Sequence, residues 1–203
     1  MATLVLVRHG ESEYNAKGVW TGWDDPDLST KGIDQANNAG KLLEDIHIDC
    51  VYTSQLKRTE ETLGEIAKIL HRINLSVIHA AELNERNYGI YTGKNKWEIE
   101  KELGEEEFKK LRRGWDYPIP QGESLKQVYK RAVPYFQEQI IPKLISGENV
   151  AIISSGNALR AIVKYLENIP EEKIPFLEIA TGEIYVYQMD ENGKIVSKEI
   201  RKA

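Results

Sequence analysis

The sequence predicts an α/β fold, a three-layer α/β/α sandwich with a mostly parallel central sheet and a late antiparallel strand pair. Short apolar runs rich in valine, leucine and isoleucine alternate with longer amphipathic segments, as buried strands alternate with crossover helices. The last two apolar runs, 184–189 and 195–200, flank the turn 190–193 (Asp-Glu-Asn-Gly), which predicts a β-hairpin. The chain has 203 residues and is 41% hydrophobic, which suffices for one well-buried core. We therefore expect a single domain over residues 1–203.

The first half of the chain predicts three strands joined by helices. The strands are predicted at residues 3–7, 50–53 and 75–79. Ser29 can cap the first crossover helix, in which apolar residues such as Ile33 recur at helical spacing. Ser54 is predicted to start the second helix, directly after the second strand.

The second half begins with a charged segment and then returns to the strand and helix pattern. Residues 82–123 are rich in glutamate and lysine, and we expect this excursion to cover the active face of the sheet. A long helix is predicted from Ser124 to about residue 144. Pro134 inside it predicts a kink or break, because proline cannot donate the helical hydrogen bond. Residues 149–154 predict a buried strand that leads into a further helix.

Charge and composition narrow the choice of partners. The formal net charge of -5 disfavours a general nucleic-acid or membrane surface, so an anionic ligand requires a local basic cavity. Cys50 is the single cysteine, which excludes an intrachain disulfide. No apolar run approaches the roughly 18 residues of a membrane span. We predict a cytoplasmic protein with no nucleic-acid and no membrane partner.

Polar side chains that could bind a ligand or take part in catalysis follow three of the buried strands. Arg8 and His9 follow the first strand, Arg58 comes soon after the second, and the segment 155–157 follows the fourth. The carboxyl ends of parallel strands share one edge of a sheet, so these groups should converge there. Two guanidinium groups with an imidazole indicate recognition of a phosphate or carboxylate beside a potential nucleophile. The other histidines lack metal-ligand spacing, and we predict no metal.

Motifs spread over nearly the whole chain resemble those of cofactor-dependent phosphoglycerate mutases. They lie at residues 4–15, 21–23, 53–54, 56–58, 83–86, 88–89, 112–114 and 156–157. The Arg-His-Gly tripeptide at 8–10 is typical of the wider histidine phosphatase superfamily, whereas Glu85 and the arginine pair 112–113 resemble the mutase branch. The resemblance implies interconversion of 3-phosphoglycerate and 2-phosphoglycerate in glycolysis. It also implies a phosphohistidine primed by 2,3-bisphosphoglycerate, and no metal.

The resemblance also implies a role for each matching residue. His9 would be the nucleophile that accepts the phosphoryl group, Arg8 and Arg58 would clamp that group, and a partly buried Glu85 would move protons at the substrate hydroxyls. Implied substrate-binding residues are Ser12, Asn15, Thr21, Gly22, Arg86, Asn87, Tyr88, Lys96, Arg112, Arg113, Gly156 and Asn157. Basic groups beyond His9 favour a mutase, which must retain a doubly phosphorylated intermediate while it reorients.

Two departures from the family pattern affect these expectations. Ser155 stands where the family has a second histidine before Gly-Asn, and loss of one such donor typically costs about 10²–10³ in rate. We therefore expect slower phosphoryl transfer, with Ser155 as the residue in the catalytic position. The chain is also shorter than longer family members after residue 120 and at its end, in segments that support subunit contacts. Monomer and homodimer are both open.

Alternatives remain open at this stage. A phosphatase of the same fold could use His9 to hydrolyse phosphoesters, and a non-catalytic phosphoglycerate-binding protein could keep the anion site without turnover. Arg58 could be a surface ion-pair partner of Glu61 one helical turn away. Ser155 could be a helix cap, with Ser154 an equally good candidate.

Overall fold

The computed structural model describes residues 1–71 and 75–202. In this part of the chain, six strands form one sheet: β1 (Ala2–Arg8), β2 (Cys50–Thr53), β3 (Ser76–His79), β4 (Val150–Ser154), β5 (Glu183–Met189) and β6 (Ile195–Lys202). Their order across the sheet is β3-β2-β4-β1-β5-β6. Strands β1 to β4 pair in parallel, whereas β5 is antiparallel to β1 and β6 is antiparallel to β5. The predicted mostly parallel sheet with a late hairpin is confirmed.

The helices of the described residues lie between these strands. They are α1 (Glu13–Ala16), α2 (Thr30–Leu42), α3 (Lys57–Ile69), α4 (Lys96–Leu103), α5 (Glu105–Arg113), α6 (Leu125–Tyr135), α7 (Ile141–Ile145) and α8 (Gly156–Leu166). Helix α2 is capped as predicted, because the Ser29 hydroxyl accepts a hydrogen bond from the Gly32 amide at 3.1 Å. The structure also contains three short 3₁₀ turns at Ala81–Leu83, Gly89–Tyr91 and Ile174–Phe176.

Side chains that alternate between the two faces of a strand pack against the two outer helical layers. Leu4 and Leu6 of β1 belong to a core shared with the segment 136–145 and with α8. Val5 and Val7 point to the opposite face and belong to a second core with α2 and α3. Because successive side chains of a strand face opposite sides, one buried strand supports helices on both faces. The three-layer architecture is therefore confirmed.

One local prediction for the first helices was wrong, and one apolar residue of α2 is exposed. Helix α3 begins at Lys57 rather than at Ser54, whose hydroxyl instead accepts from the Leu56 amide at 3.3 Å and pairs with the Thr59 hydroxyl. Ile33 is 41% exposed, because the buried stripe of α2 lies on smaller residues. That stripe is Gly32, Ala36, Ala39, Gly40 and Leu43. A side chain at position 40 would meet the Ile69 side chain at 2.8 Å, so close packing of α2 on α3 selects glycine there.

The long helix predicted after Ser124 is interrupted near its proline, as expected. The Ser124 hydroxyl and the Gln127 side chain form a capping box that starts α6. Pro134 lies in the last turn of α6, and a π-helical turn over 136–140 follows before α7. Proline lacks an amide hydrogen and crowds the preceding turn, which accounts for this break in the α-helical ladder.

The excursion 82–123 contains α4 and α5 and packs through a small core of its own. That core comprises Trp20, Tyr88, Ile99, Phe108, Leu111 and Ile119. Trp20 belongs to the loop after α1, so the core joins the excursion to that loop. Across residues 1–71 and 75–202, no helix is both long and apolar enough to cross a bilayer.

Candidate active site

A cavity lies beside the carboxyl ends of β1 and β4. Its lining residues are Arg8, His9, Asn15, Trp20, Thr21, Arg58, Glu85, Tyr88, Lys96, Arg112, Arg113, Gly156, Asn157, Arg160, Glu178 and Ile179. Arginine and lysine side chains outnumber the two carboxylates, Glu85 and Glu178, in this lining. The excess positive charge suits an anionic ligand in a protein whose net charge is -5.

His9 lies on the wall of this cavity and is only 2% exposed. Its Nδ1 is 2.6 Å from the Gly10 carbonyl oxygen, which can only accept a hydrogen bond. Nδ1 therefore carries the proton, and the lone pair of the neutral ring is on Nε2. Burial, followed by the charges of Arg58 and Arg8, holds the pKa of His9 well below its usual range. His9 is thus a neutral imidazole with Nε2 free to act as a nucleophile.

Arg8 and Arg58 are fixed by backbone carbonyls rather than by acidic side chains. Arg58 is 1% exposed and donates to the carbonyls of Gly22 at 2.9 Å and Asp24 at 3.0 Å. Arg8 donates through Nη1 to the Ile179 carbonyl. Among the described residues, the buried Nε atoms of both arginines have no hydrogen-bond partner. Burial lowers the pKa of both guanidinium groups, but arginine stays protonated in proteins, so both have spare donors for an oxyanion.

The alternative pairing of Arg58 with Glu61 is wrong. Glu61 instead accepts a hydrogen bond from the Leu28 amide at 2.8 Å and lies 3.7 Å from the Lys57 ammonium group. Arg58 points into the cavity because it enters from the first turn of α3, directly after β2. The sheet edge therefore brings Arg58 to His9 although 49 positions separate them in the sequence.

Glu85 is buried at the amino-terminal end of α8. Its Oε1 accepts from the Arg86 amide at 2.6 Å and from the Asn157 amide at 3.3 Å. Free amides and the helix dipole at that end favour a carboxylate. The backbone carbonyl of Glu85 accepts from the Trp23 indole at 2.7 Å and from Arg131 at 3.0 Å. Glu85 is thus held from both its backbone and its side chain while it lines the cavity.

The side of the cavity formed by the excursion carries Lys96, Arg112 and Arg113, which we term the distal wall. The Lys96 ammonium lies 5.5 Å from the centroid of the Trp20 ring. Burial, followed by the positive charge of Arg112, Arg8 and Arg113, lowers the pKa of Lys96 to about 8. Three positive charges lie close together in the distal wall, which makes this wall suited to binding an anion.

Five of the predicted site residues do not line the cavity: Ser12, Gly22, Arg86, Asn87 and Ser155. Ser12 caps α1, and the Gly22 carbonyl holds Arg58. Arg86 is fully buried and donates to the carbonyls of Leu111 and Arg112, which anchors the end of α5. The Asn87 side chain accepts from the Gly89 amide at 2.8 Å. These contacts support the walls of the cavity, and direct ligand binding by these residues stays a prediction.

Ser155 occupies the N-cap position of α8 but does not act as a cap. Its side chain makes no capping hydrogen bond, and within the described residues its fully buried hydroxyl has no hydrogen-bond partner. Ser154 is no cap either, because its hydroxyl donates to the Leu83 carbonyl at 2.6 Å. The alternative of a capping serine is therefore wrong. Ser155 is adjacent to Gly156, where an added Cβ would come within 3.3 Å of the Arg8 guanidinium carbon.

Sequence reasoning missed four lining residues: Trp20, Arg160, Glu178 and Ile179. Arg160 donates to the Asn157 side chain at 2.8 Å and to the carbonyls of Ile174 at 2.8 Å and Arg113 at 3.1 Å. Its place one helical turn after Asn157 was an available signal. Glu178 lies in an irregular segment before β5, where no periodicity marks it.

Across residues 1–71 and 75–202, no group of three or more histidine, cysteine, aspartate or glutamate side chains could hold a metal ion.

Comparison with known sequences gives consistent matches. The family model described as Histidine phosphatase superfamily (branch 1) matches residues 4–200. A protein of Parvibaculum lavamentivorans named 2,3-bisphosphoglycerate-dependent phosphoglycerate mutase is 41% identical over 199 residues, covering 97% of this chain and 95% of that protein. A Latilactobacillus sakei protein named 2,3-bisphosphoglycerate-dependent phosphoglycerate mutase 2 is 39% identical, covering 98% of this chain and 99% of that protein.

Solved structures share the fold. Bacillus stearothermophilus YhfR superimposes with a TM-score of 0.84 at 25% identity, covering 96% of this chain and 94% of that chain. A mycobacterial glucosyl-3-phosphoglycerate phosphatase superimposes with a TM-score of 0.83 at 21% identity, covering 98% of this chain and 97% of that chain. At that identity the second likeness concerns the fold alone.

Proposed function

The chain belongs to branch 1 of the histidine phosphatase superfamily, among the 2,3-bisphosphoglycerate-dependent phosphoglycerate mutases, and from this premise we propose that it interconverts 3-phosphoglycerate and 2-phosphoglycerate in glycolysis. The observation that carries the proposal is the neutral His9, whose Nε2 is free in a cavity with Arg8 and Arg58 beside it. A phosphoryl group held by His9 would be the shared intermediate of both directions.

The cavity fits the cofactor that the family name implies. Buried Nε atoms of Arg8, Arg58 and Arg160 and the Thr21 hydroxyl lack partners within the described residues, which leaves donors for a polyanion. Arg8 and Arg58 would hold a phosphate next to His9, and the distal wall would hold the remaining charge of 2,3-bisphosphoglycerate. When bound, this cofactor supplies the phosphoryl group that primes His9.

His9 and its two arginines, which we term the phosphoryl end, perform the transfer itself. Nε2 would form the bond to phosphorus while the bond from phosphorus to the donor oxygen breaks, and the Gly10 carbonyl, which accepts a hydrogen bond from Nδ1–H, would stabilise the positive charge that the ring gains. Phosphoryl transfer depends mainly on in-line positioning and on neutralising the equatorial oxygens. Arg8 and Arg58 supply both, because backbone carbonyls already fix their guanidinium groups.

Glu85 is the proposed acid and base. As a substrate hydroxyl attacks the phosphohistidine, its oxygen bonds to phosphorus, the bond from phosphorus to Nε2 breaks, and Glu85 takes the hydroxyl proton. In the reverse transfer Glu85 returns a proton to the oxygen that leaves phosphorus. The contacts of its backbone carbonyl with Trp23 and Arg131 support a fixed position during both steps.

Ser155 affects rate in this proposal. Its hydroxyl can donate a hydrogen bond but carries no positive charge, and it is shorter than the histidine found there in the family. We propose that phosphoryl transfer is slower by about 10²–10³ than with a second imidazole. The unpartnered state of the Ser155 hydroxyl within the described residues supports a site that is short of one donor.

The proposal extends to location and partners. A glycolytic reaction implies a cytoplasmic protein whose partner is a small phosphorylated anion. Monomer and homodimer are both compatible with the fold and stay predictions.

The test is incubation with radiolabelled 2,3-bisphosphoglycerate, followed by an acid-labile phosphate count and a coupled mutase assay. Label on the protein together with isomerisation supports the mutase. Label followed by phosphate release without isomerisation indicates the phosphatase. Calorimetric binding of 3-phosphoglycerate with neither label nor turnover indicates a non-catalytic binding protein.

A further inference from the structure

An acidic side chain stands in a cavity that otherwise attracts anions. The carboxylate of Glu178 lines the cavity and forms an ion pair with Nη2 of Arg113. Arg113 belongs to the distal wall, where the proposed substrate would place the charge farthest from His9. Glu178 therefore holds one of the guanidinium groups that an anionic ligand needs.

The backbone around Glu178 is anchored, but its side chain is open to solvent. The Ile179 carbonyl accepts from Arg8, and the Ile174 carbonyl accepts from Arg160 at 2.8 Å. The Glu178 side chain is 64% exposed, compared with 21% for Arg113. The carboxylate can therefore swing away from Arg113 while the segment that carries it stays in place.

The Glu178 side chain is ionised at neutral pH, as its ion pair with Arg113 requires. The hydrogen bond from Arg113, together with the charges of Arg113, Arg112 and Arg8, lowers the pKa of Glu178 below its usual range. The negative charge thus faces the same arginines that would bind ligand. A ligand carboxylate or phosphate at Arg113 must either displace Glu178 or share the guanidinium with it.

We propose that Glu178 is a specificity-determining residue that competes with the substrate for Arg113. In the free protein its carboxylate takes the place of the distal anionic group of the ligand, and binding exchanges one carboxylate for the other. This inference rests on the proposed function and adds to it a cost for ligands that reach the distal wall. Inorganic phosphate bound beside His9 does not reach Arg113 and avoids that cost.

The size of the effect follows from the exposure of the pair. Ion pairs of this kind at the surface are weak, so breaking one changes a dissociation constant by about two- to five-fold. The opposite role is also defined: if Glu178 instead orients Arg113, its loss would weaken binding. The direction in which the dissociation constant changes on loss of Glu178 therefore distinguishes competition for Arg113 from positioning of Arg113.

The experiment measures binding of 3-phosphoglycerate and of inorganic phosphate by calorimetry to wild-type protein and to Glu178→Gln. We expect the variant to bind 3-phosphoglycerate about two- to five-fold more tightly and to bind phosphate within about two-fold of wild type. Glu172→Gln is the matched control, because Glu172 is an exposed acid nearby in the chain that does not line the cavity. It should leave both dissociation constants unchanged.

Three results would overturn the inference alone: unchanged or weaker binding of 3-phosphoglycerate to Glu178→Gln, an equal gain for phosphate, or the same gain in Glu172→Gln. Each of these leaves the proposed function intact, because wild-type protein still binds 3-phosphoglycerate. Wild-type protein that binds phosphate but not 3-phosphoglycerate would overturn the proposed function, and this inference with it.

Discussion

The phosphoryl end and the distal wall are held in place in different ways. Arg8 ends a central strand, His9 follows it, and Arg58 lies in the first turn of the helix after another strand, so the sheet sets their positions and backbone carbonyls hold the two guanidinium groups. Lys96 and Arg113 lie on two helices of the excursion, which packs through a small core of its own. In the proposed function, the sheet edge therefore carries the phosphoryl transfer and the helices of the excursion carry ligand selection.

The largest expected effect is at the phosphoryl end. His9→Ala removes the nucleophile, so acid-labile labelling should disappear and turnover should fall by about 10⁴-fold or more. The exposed His47, which pairs with Asp49 outside the cavity, gives the control His47→Ala with unchanged labelling. Persistent label in His9→Ala would locate the phosphoryl group elsewhere and remove the distinction between the two regions.

Ser155→His adds a donor to the phosphoryl end without changing the distal wall. We expect turnover to rise by about 10²–10³-fold, because one imidazole would contact the transferring group. KM for 3-phosphoglycerate should change little. Ser155→Ala serves as the control and should match wild type, because no described group bonds to the hydroxyl. Equal turnover in the histidine variant and wild type would show that position 155 does not limit the rate.

Arg113→Gln tests the distal wall. Loss of a charged hydrogen-bond donor to the substrate should raise KM by about 10- to 100-fold, whereas labelling of His9 at saturating 2,3-bisphosphoglycerate should change far less. Lys109→Gln on the same helix removes an exposed charge outside the cavity and is the control. If labelling of His9 fell by the same factor by which KM rises, the phosphoryl end and the distal wall would act as one unit.

The smallest expected effect is a pH dependence of affinity. Lys96 has a pKa of about 8 in the free protein, so it is charged below that pH and becomes neutral above it. A bound anion favours the charged form, so binding near pH 8 should take up a proton, and KM should rise by up to about tenfold from pH 7 to 9.

Calorimetry in buffers of different ionisation enthalpy measures that proton. Lys96→Met should bind more weakly and abolish the uptake, whereas Lys101→Met, an exposed site on the same helix, should retain it. Proton uptake that persists in Lys96→Met would assign it to another group.

Periodicity and turn chemistry sufficed to predict the sheet, the hairpin, the cap at Ser29, the start of a helix at Ser124 and the break near Pro134. These features depend on neighbours close in sequence. The start of α3 was mispredicted because Ser54 and Thr59 bond to each other, which is a side-chain contact that propensity does not encode. Ile33 is exposed although it follows the helical spacing of α2, because contact with α3 favours small residues.

Some residues of the candidate site could likewise be predicted from the sequence, whereas others could not. His9 and Arg58 could be predicted to meet, because the carboxyl ends of parallel strands share an edge. Arg160 was missed although its place one helical turn after Asn157 could have marked it, and Glu178 could not be predicted, since it lies in irregular chain. Residues such as Arg86 entered through family resemblance, and the structure gives Arg86 contacts with backbone carbonyls away from the cavity lining.

The backbone of His9 is bonded on both sides of its strand end, since its amide donates to the Ser154 carbonyl at 3.0 Å and its carbonyl accepts from the Gly182 amide at 3.3 Å. Because both backbone groups are held by neighbouring chain segments, we expect this amide to exchange only on global unfolding. Ligand would then enter and leave beside a nucleophile whose backbone stays in place.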